Sequence, residues 1–504
     1  MTGRRPADDA SQALGLALAL VALITFVRVC VLILSPLNLY PDEAQYWWWA
    51  QSPAFGYFSK PPVIAWIIWL STALFGQAEW AVRIASPILH GASAMMIYAI
   101  ARRAYAPRPA LLCALAYLTS PGVSYSSGLI STDVPLLLFW SIALYAFLRA
   151  CDDASWRWPV LCGLALGLGI ETKYAMLFFL AGALLAALLI REARQMVLGP
   201  RGIAIVAIAA VLVLPNLVWN AQNGFPTIAH TQSNAAWDRA HFSAVHALGF
   251  VAGQFGVFGP LLMAGYVGAI WRLCRAKEGN RDEYVLALFS LPPLTAIIVQ
   301  AFIAAANANW AVTAFIAATP LAVAELERWW RRRILWLSFA VNGLAMIALW
   351  VILLRPTVAD TVGLGNAFKR EEGWRELGRI VVRAADAAPY RAIVTDNRSL
   401  MAELLYYAQP RSLPLRMWDR DDRIRDHFQM TMRLQPGPER VLVVAEPTDA
   451  PHILATFDSA KVVELVDISL AVRRVRQIAL CDAQGYRGPQ IRHAGAQLSP
   501  VSDL

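Results

Sequence analysis

Asp42 and Glu43 are adjacent carboxylates in the stretch YPDEAQYWWWAQSPAFGYFSKPP, residues 40–62, which also holds Lys60, four prolines and a run of aromatic rings. A third carboxylate, Asp133, sits in LISTDVPLLLFW. Carboxylates are the side chains that take a proton from an attacking hydroxyl, and an ammonium such as Lys60 neutralises an anion such as a phosphate. Simpler duties also fit. Acids favour a helix N-terminus, and Thr132 or Asp133 can cap the helix that Pro135 helps to open. Trp47, Trp48 and Trp49 suit an aromatic belt at a membrane interface.

These residues need elements to position them. The chain has 504 residues, 58% hydrophobic and 16% charged, against about 25% charged in soluble proteins. Stretches of about 20 apolar residues centre near residues 24, 90, 118, 141, 165, 182, 210, 258, 294, 318 and 344. They predict about eleven transmembrane helices. The fifth and sixth are separated only by ETKY (171–174), read as an outer turn. With the N-terminus inside, the cytoplasmic segments (MTGRRPADDA, ARRAYAPRP, RACDDASWR, REARQMVLGPR, RLCRAKEGNRDE and ELERWWRRR) carry 18 Lys and Arg. The opposite loops hold Lys60, Lys173 and Arg239, with Arg83 at the border. That asymmetry follows the positive-inside rule. It accounts for most of the net charge of +9 without a nucleic-acid partner.

Residues 1–355 therefore read as an all-α polytopic membrane domain, with an outer loop over about 36–80. An odd number of spans sends 356–504 to the outside as a small periplasmic α/β domain. RAIVTD and RVLVVAE have strand character there, SLMAELLYYA and APHILATF helix character, and the last 15 or so residues are expected to be disordered. The six cysteines show no paired spacing. Within the outer loop, DEAQYWWWAQ has helical spacing suited to the interface, and GYFSKPP ends any helix before Pro61.

The stretch 40–150, with PDEAQYWWWA, GYFSKPP, AVRIASPILHGASAMMIYAIARRAY and STDVPLLLFW, resembles the bacterial PMT-type glycosyltransferases of the GT-C fold. These include the lipid A aminoarabinose transferases and the rhizobial galacturonosyltransferases. The similarity continues through GLALGLGIETKYAML, PNLVWNAQNGFPTIAHTQSNA and ANWAVTAFIAATPLAVA. It implies a multi-pass protein of the bacterial inner membrane, among whose lipids it works. Such an enzyme transfers a sugar, with inversion, from a polyprenyl-phosphate carrier to an envelope acceptor on the periplasmic face. The acceptor would be lipid A, lipopolysaccharide core, or another glycan or lipid. Position by position, the resemblance assigns catalysis to Asp42, Glu43 and Asp133, and contact with the carrier phosphate to Lys60 beside Tyr57. Gln45 stands where aminoarabinose transferases have a phosphate-facing Arg, and Ser59 where they have a carboxylate that can ligate a metal. His230 matches their outer-loop His. Glu43, Asp133 and His230 remain the metal candidates, and no cofactor or metal is expected to be required.

One carboxylate of the Asp42/Asp133 pair would deprotonate the acceptor. Tyr46, Trp47 and Tyr57 offer rings to a sugar face or a prenyl tail, and Lys173, Asn220 and Arg239 offer auxiliary polar contacts. Arg28, at membrane depth, either snorkels outward or assists the phosphate. A flippase for lipid-linked sugars is the alternative, but it calls for charges along a mid-bilayer path, and here they gather at one face. A scaffold would leave the carboxylates without a task.

Overall fold

The computed structural model describes residues 6–235, 237, 240, 242–471 and 474–489. Arg239 and the chain end expected to be disordered lie outside them. The chain divides into two compact units, Met1–Leu37 with Trp49–Ala359, and Asn38–Trp48 with Asp360–Leu504.

The first unit is helical. Among the described residues six helices are long and apolar enough to cross a membrane: Asp9–Leu34, Glu79–Ala104, Asp133–Asp152, Pro200–Gln222, Arg281–Ile303 and Arg333–Leu354. Val63–Phe75, Arg157–Ile170 and Tyr174–Leu189 are shorter apolar helices. The apolar stretches near 118 and 318 form the helices Pro107–Thr119 and Ala314–Arg328. Local chemistry sets many of the starts. Proline opens Pro107–Thr119, Pro200–Gln222 and Pro260–Arg275, where its missing N–H costs nothing. Asn280 and Glu283 form a reciprocal capping box on Arg281–Ile303. The stretch near 258, read as one span, is instead two helices, Ala244–Phe258 and Pro260–Arg275, bent by 111°. Between them Gly259 has φ 100°, and a Cβ there would lie 2.5 Å from the Asn342 side chain. Proline following a left-handed residue ends one helix and starts the next.

Trp140, Phe147, Phe179 and Phe289 interlock in the core, with edge-on and tilted centroid distances of 4.8–6.2 Å. Four of the loops predicted to be cytoplasmic meet in two ion-pair clusters. Arg103 reaches Asp152 at 2.6 Å and Asp282 at 2.9 Å, and Arg281 reaches Asp152 at 2.6 Å. Arg272 reaches Glu325 at 2.8 Å and Glu283 at 3.2 Å. Arg28 is buried and donates to Leu118 O at 2.5 Å and Ser124 Oγ at 3.3 Å.

The second unit is built on a five-stranded sheet of order β2-β1-β3-β5-β4. The strands are β1 Ile393–Thr395, β2 Leu415–Met417, β3 Gly437–Ala445, β4 Phe457–Ala471 and β5 Arg474–Tyr486. β1 runs parallel to β2 and β3, and β5 runs antiparallel to β3 and β4. The segment 38–48 joins this unit through polar ties. Asn38 Oδ1 accepts the N–H groups of Trp374 and Arg375 at 2.9 and 3.3 Å, capping the helix Trp374–Asp386. The Leu39 N–H donates to Tyr407 Oη at 2.7 Å.

Candidate active site

The carboxylate helix forms as expected, over Pro41–Ala50 with Asp42 and Glu43 in its first turn. Its rings turn inward, because the residues between the two acids and Ala50 are almost all buried. Tyr46 is 4% exposed and Trp47 7%, and Trp47 packs edge-on against Tyr406 at 4.8 Å. Trp49 is buried as well and stacks on Tyr57 at 4.5 Å. Trp47 and Trp49 are therefore core side chains, neither belt residues nor open stacking platforms, and only Trp48 keeps partial exposure.

Arg398 fixes Asp42, the more open acid of the helix. The sequence DNRS follows β1, and the Asn397 side chain accepts the N–H groups of Ser399 and Leu400, so the helix Arg398–Tyr407 starts with Arg398 at its first position. Arg398 Nη1 donates to Asp42 Oδ1 at 2.9 Å and to Gln45 Oε1 at 2.7 Å. Burial alone would depress the guanidinium, but the Asp42 charge and hydrogen bond carry it above its usual range. Asp42 stays open, with 43% of its side chain exposed, and its Oδ2 has no hydrogen-bond partner among the described residues. Glu43 is buried and its Oε2 accepts the Tyr40 N–H at 2.8 Å.

Asp133 belongs to the first unit and begins the helix Asp133–Asp152, 7% exposed. Thr132 makes no side-chain cap there. Both carboxylate oxygens are occupied: Lys173 Nζ lies 2.7 Å from Oδ1, and Asn309 Nδ2 donates to Oδ2 at 2.7 Å. Lys173, offered as a substrate contact, is thus the ion-pair partner of Asp133. The turn that carries Lys173 also carries Glu171, buried at 3% exposure with Oε1 unpartnered among the described residues. Burial pushes its carboxyl up to about 8.

The GYFSK segment is a tight turn in which the Tyr57 N–H donates to Lys60 O at 3.2 Å. Asn216 Nδ2 holds it by donating to Phe55 O at 2.8 Å. Gly56 lies so close to Trp219 that a Cβ would approach the ring to 2.4 Å. Thr227 Oγ1 donates to Tyr57 O at 2.8 Å. Tyr57 is a buried brace: its hydroxyl donates to Trp49 O at 3.1 Å and accepts the Ala54 N–H at 3.0 Å, and burial pushes the phenol up to about 12. Ser59 and Lys60 are half-buried. His230 packs edge-on against Phe58 at 5.7 Å, with Nε2 3.1 Å from Asn234 Nδ2. Asn220 turns inward, its amide donating to Asn216 O at 3.1 Å.

Glu43 is spent on a backbone N–H, Asp133 on Lys173 and Asn309, and His230 neighbours an amide. Among the described residues no three His, Cys, Asp or Glu side chains gather to hold an ion. Sequence reading missed Arg398, Asn309 and Glu171. The N-cap in TDNRS locates a helix start, but nothing local points from Arg398 to Asp42.

The fold is that of the GT-C membrane glycosyltransferases. ArnT from Cupriavidus metallidurans, in a crystal structure with bound undecaprenyl phosphate, matches with a TM-score of 0.64 at 20% identity over 94% of this chain and 98% of that one. A sequence model for dolichyl-phosphate-mannose-protein mannosyltransferases matches residues 59–219. The lipid A galacturonosyltransferase RgtD of Rhizobium johnstonii is 39% identical over 384 residues, 76% of this chain and 80% of that protein. The undecaprenyl phosphate-alpha-4-amino-4-deoxy-L-arabinose arabinosyl transferase of Pseudomonas aeruginosa is 36% identical over 152 residues, 26% of this chain and 27% of that protein. The chain belongs to the PMT-type glycosyltransferase family, and it is a multi-pass membrane glycosyltransferase.

Proposed function

We propose that this enzyme moves a sugar, a galacturonosyl group as the narrowest reading, from a polyprenyl-phosphate carrier to lipid A or lipopolysaccharide core. The similarity to the lipid A galacturonosyltransferase over 80% of that protein's length carries the substrate reading. In the reaction the acceptor oxygen attacks the anomeric carbon, the bond from that carbon to the phosphate oxygen breaks, and the configuration inverts. Asp42 takes the acceptor proton, because its Oδ2 is open while both oxygens of Asp133 are engaged. Asp133 is a positioning residue, and Lys60 neutralises the leaving phosphate. No step needs a metal.

We place the reaction on the periplasmic side of the inner membrane, with about eleven passages and the bent pair counted as one. The N-terminus is then cytoplasmic and the α/β unit periplasmic. The ion pairs that join the loops around Arg103, Asp152 and Arg281 support a common face for those three. Mass spectrometry of envelope lipids tests the substrate: deletion of the gene should remove hexuronate-bearing lipid A or core species, and plasmid-borne enzyme should restore them. An unchanged lipid profile would overturn this reading.

A further inference from the structure

The α/β unit holds a polar crevice that the reaction above does not use. β1 and β3 are parallel neighbours, but the chain leaves β1 toward β2 on one side and leaves β3 toward β4 on the other. Their carboxyl ends therefore flank a topological switch point, where open α/β sheets form their ligand crevices. A cavity of about 350 Å³ or slightly less would be at the small end of ligand pockets, and this one measures 330 Å³. Asp396 enters it directly after β1, Asp449 and His452 after β3, and Trp418 and Arg420 after β2.

The lining has unused hydrogen-bonding capacity. Gln429 is 7% exposed, and its Oε1 accepts the Arg425 N–H at 2.7 Å, but its Nε2 has no partner among the described residues. Asp396 Oδ1 is buried with no partner among them. The indole N–H of Trp418 is spent on Thr456 Oγ1 at 3.0 Å, which fixes the ring as a wall. Arg425 is locked to Asp421 by two 2.6 Å contacts. The crevice thus offers an unused amide donor and an unused carboxylate acceptor in a lining whose acidic and basic side chains nearly balance.

That pattern selects among ligands. A metal ion needs several converging carboxylate or imidazole ligands, and no such group occurs among the described residues. A nucleotide phosphate calls for a glycine-rich turn, and the sequence after β1 is DNRS. A sugar ring presents hydroxyls that donate and accept at once. We propose that this crevice binds a saccharide, the sugar portion of the acceptor. The assignment rests on the glycosyltransferase reading and adds a subsite that holds the acceptor by its glycan.

The test uses the full-length protein in nanodiscs. Saturation-transfer NMR with free glucosamine and free galacturonate as probes should show binding of a pyranose. Asp396→Asn and Gln429→Ala should each weaken it about tenfold, the scale of one lost hydrogen bond in a desolvated site. In transfer assays the same variants should raise the acceptor KM while leaving kcat and the donor KM unchanged. Arg420→Ala, at the exposed rim, guards against misfolding and should shift the acceptor KM in the same direction. Absence of pyranose binding, binding untouched by all three variants, or a rise in donor KM in place of acceptor KM would overturn the proposal. The binding arm needs no turnover. A wild-type protein that bound sugar at this crevice but transferred none would count against the transferase reading and leave the crevice standing.

Discussion

Asp42 and Asp133 look alike in sequence, but their surroundings separate them. Asp133 gives one oxygen to Lys173 and the other to Asn309, whereas Asp42 gives one to Arg398 and keeps the other. Asp42→Asn preserves shape and removes the charge, so transfer should fall by about 10²- to 10⁴-fold with donor affinity nearly intact. Lys60→Ala should weaken donor affinity and rate together, because a phosphate contact serves ground state and transition state alike. Steady-state kinetics on membrane-inserted protein separates the two, and near-normal turnover by Asp42→Asn would remove it as the base. Glu171 makes a stability prediction. Its carboxyl rises from 4.5 to about 8 on folding, so between those values the folded chain binds the proton that the unfolded chain has released. Stability from this group is therefore full below about pH 4.5 and declines as pH rises toward 8, by up to about 1.4 kcal/mol per pH unit. Glu171→Gln should flatten that slope. Thermal unfolding of the purified protein from pH 5 to 8 measures it, and equal slopes would show that Glu171 does not titrate this way.

Elements were legible where the pattern is local. The long apolar helices and the carboxylate helix at Pro41–Ala50 could be read because periodicity and proline act over a few residues, whereas the side-chain cap expected at Thr132 does not form. Three features were not. The break at Gly259 sits inside a continuous apolar run, so hydropathy passes over it. The inward turn of Tyr46, Trp47 and Trp49 depends on partners far along the chain, such as Tyr406. The attachment of 38–48 to the α/β unit rests on single polar atoms. Asn38 is the sharpest case, since its side chain accepts two N–H groups at the start of Trp374–Asp386. Asn38→Ala should cost about 0.5–2 kcal/mol, the worth of an N-cap, and lower the Tm measurably. Asn38→Asp, which keeps the acceptor, should restore most of it. Equal losses in both variants would assign the effect to something other than capping.

At the scale of the whole molecule, charge organises the chain more visibly than any motif. Basic residues separated by up to 178 positions meet acids from neighbouring loops, as Arg103 and Arg281 both do at Asp152. Lys173, Asp133 and Asn309 form a separate polar group. Hydropathy placed the long apolar helices, and loop charge gives their expected orientation. Neither could reveal which loop acid pairs with which base, because ion pairing is decided by helix packing. The same charge pattern yields the prediction with most at stake. Each Lys or Arg in a short loop resists translocation, so the 18 in the basic segments should hold those loops in the cytoplasm. Reporter fusions after Arg103, Arg201 and Arg333 should then report cytoplasm, and fusions near Gln77, Asn223 and Arg398 should report periplasm. Arg398 is the critical site, because it holds Asp42 and a base must share a compartment with its substrates. A cytoplasmic signal there would leave the family assignment intact. It would break the proposed orientation and move the sugar transfer to the opposite face of the membrane.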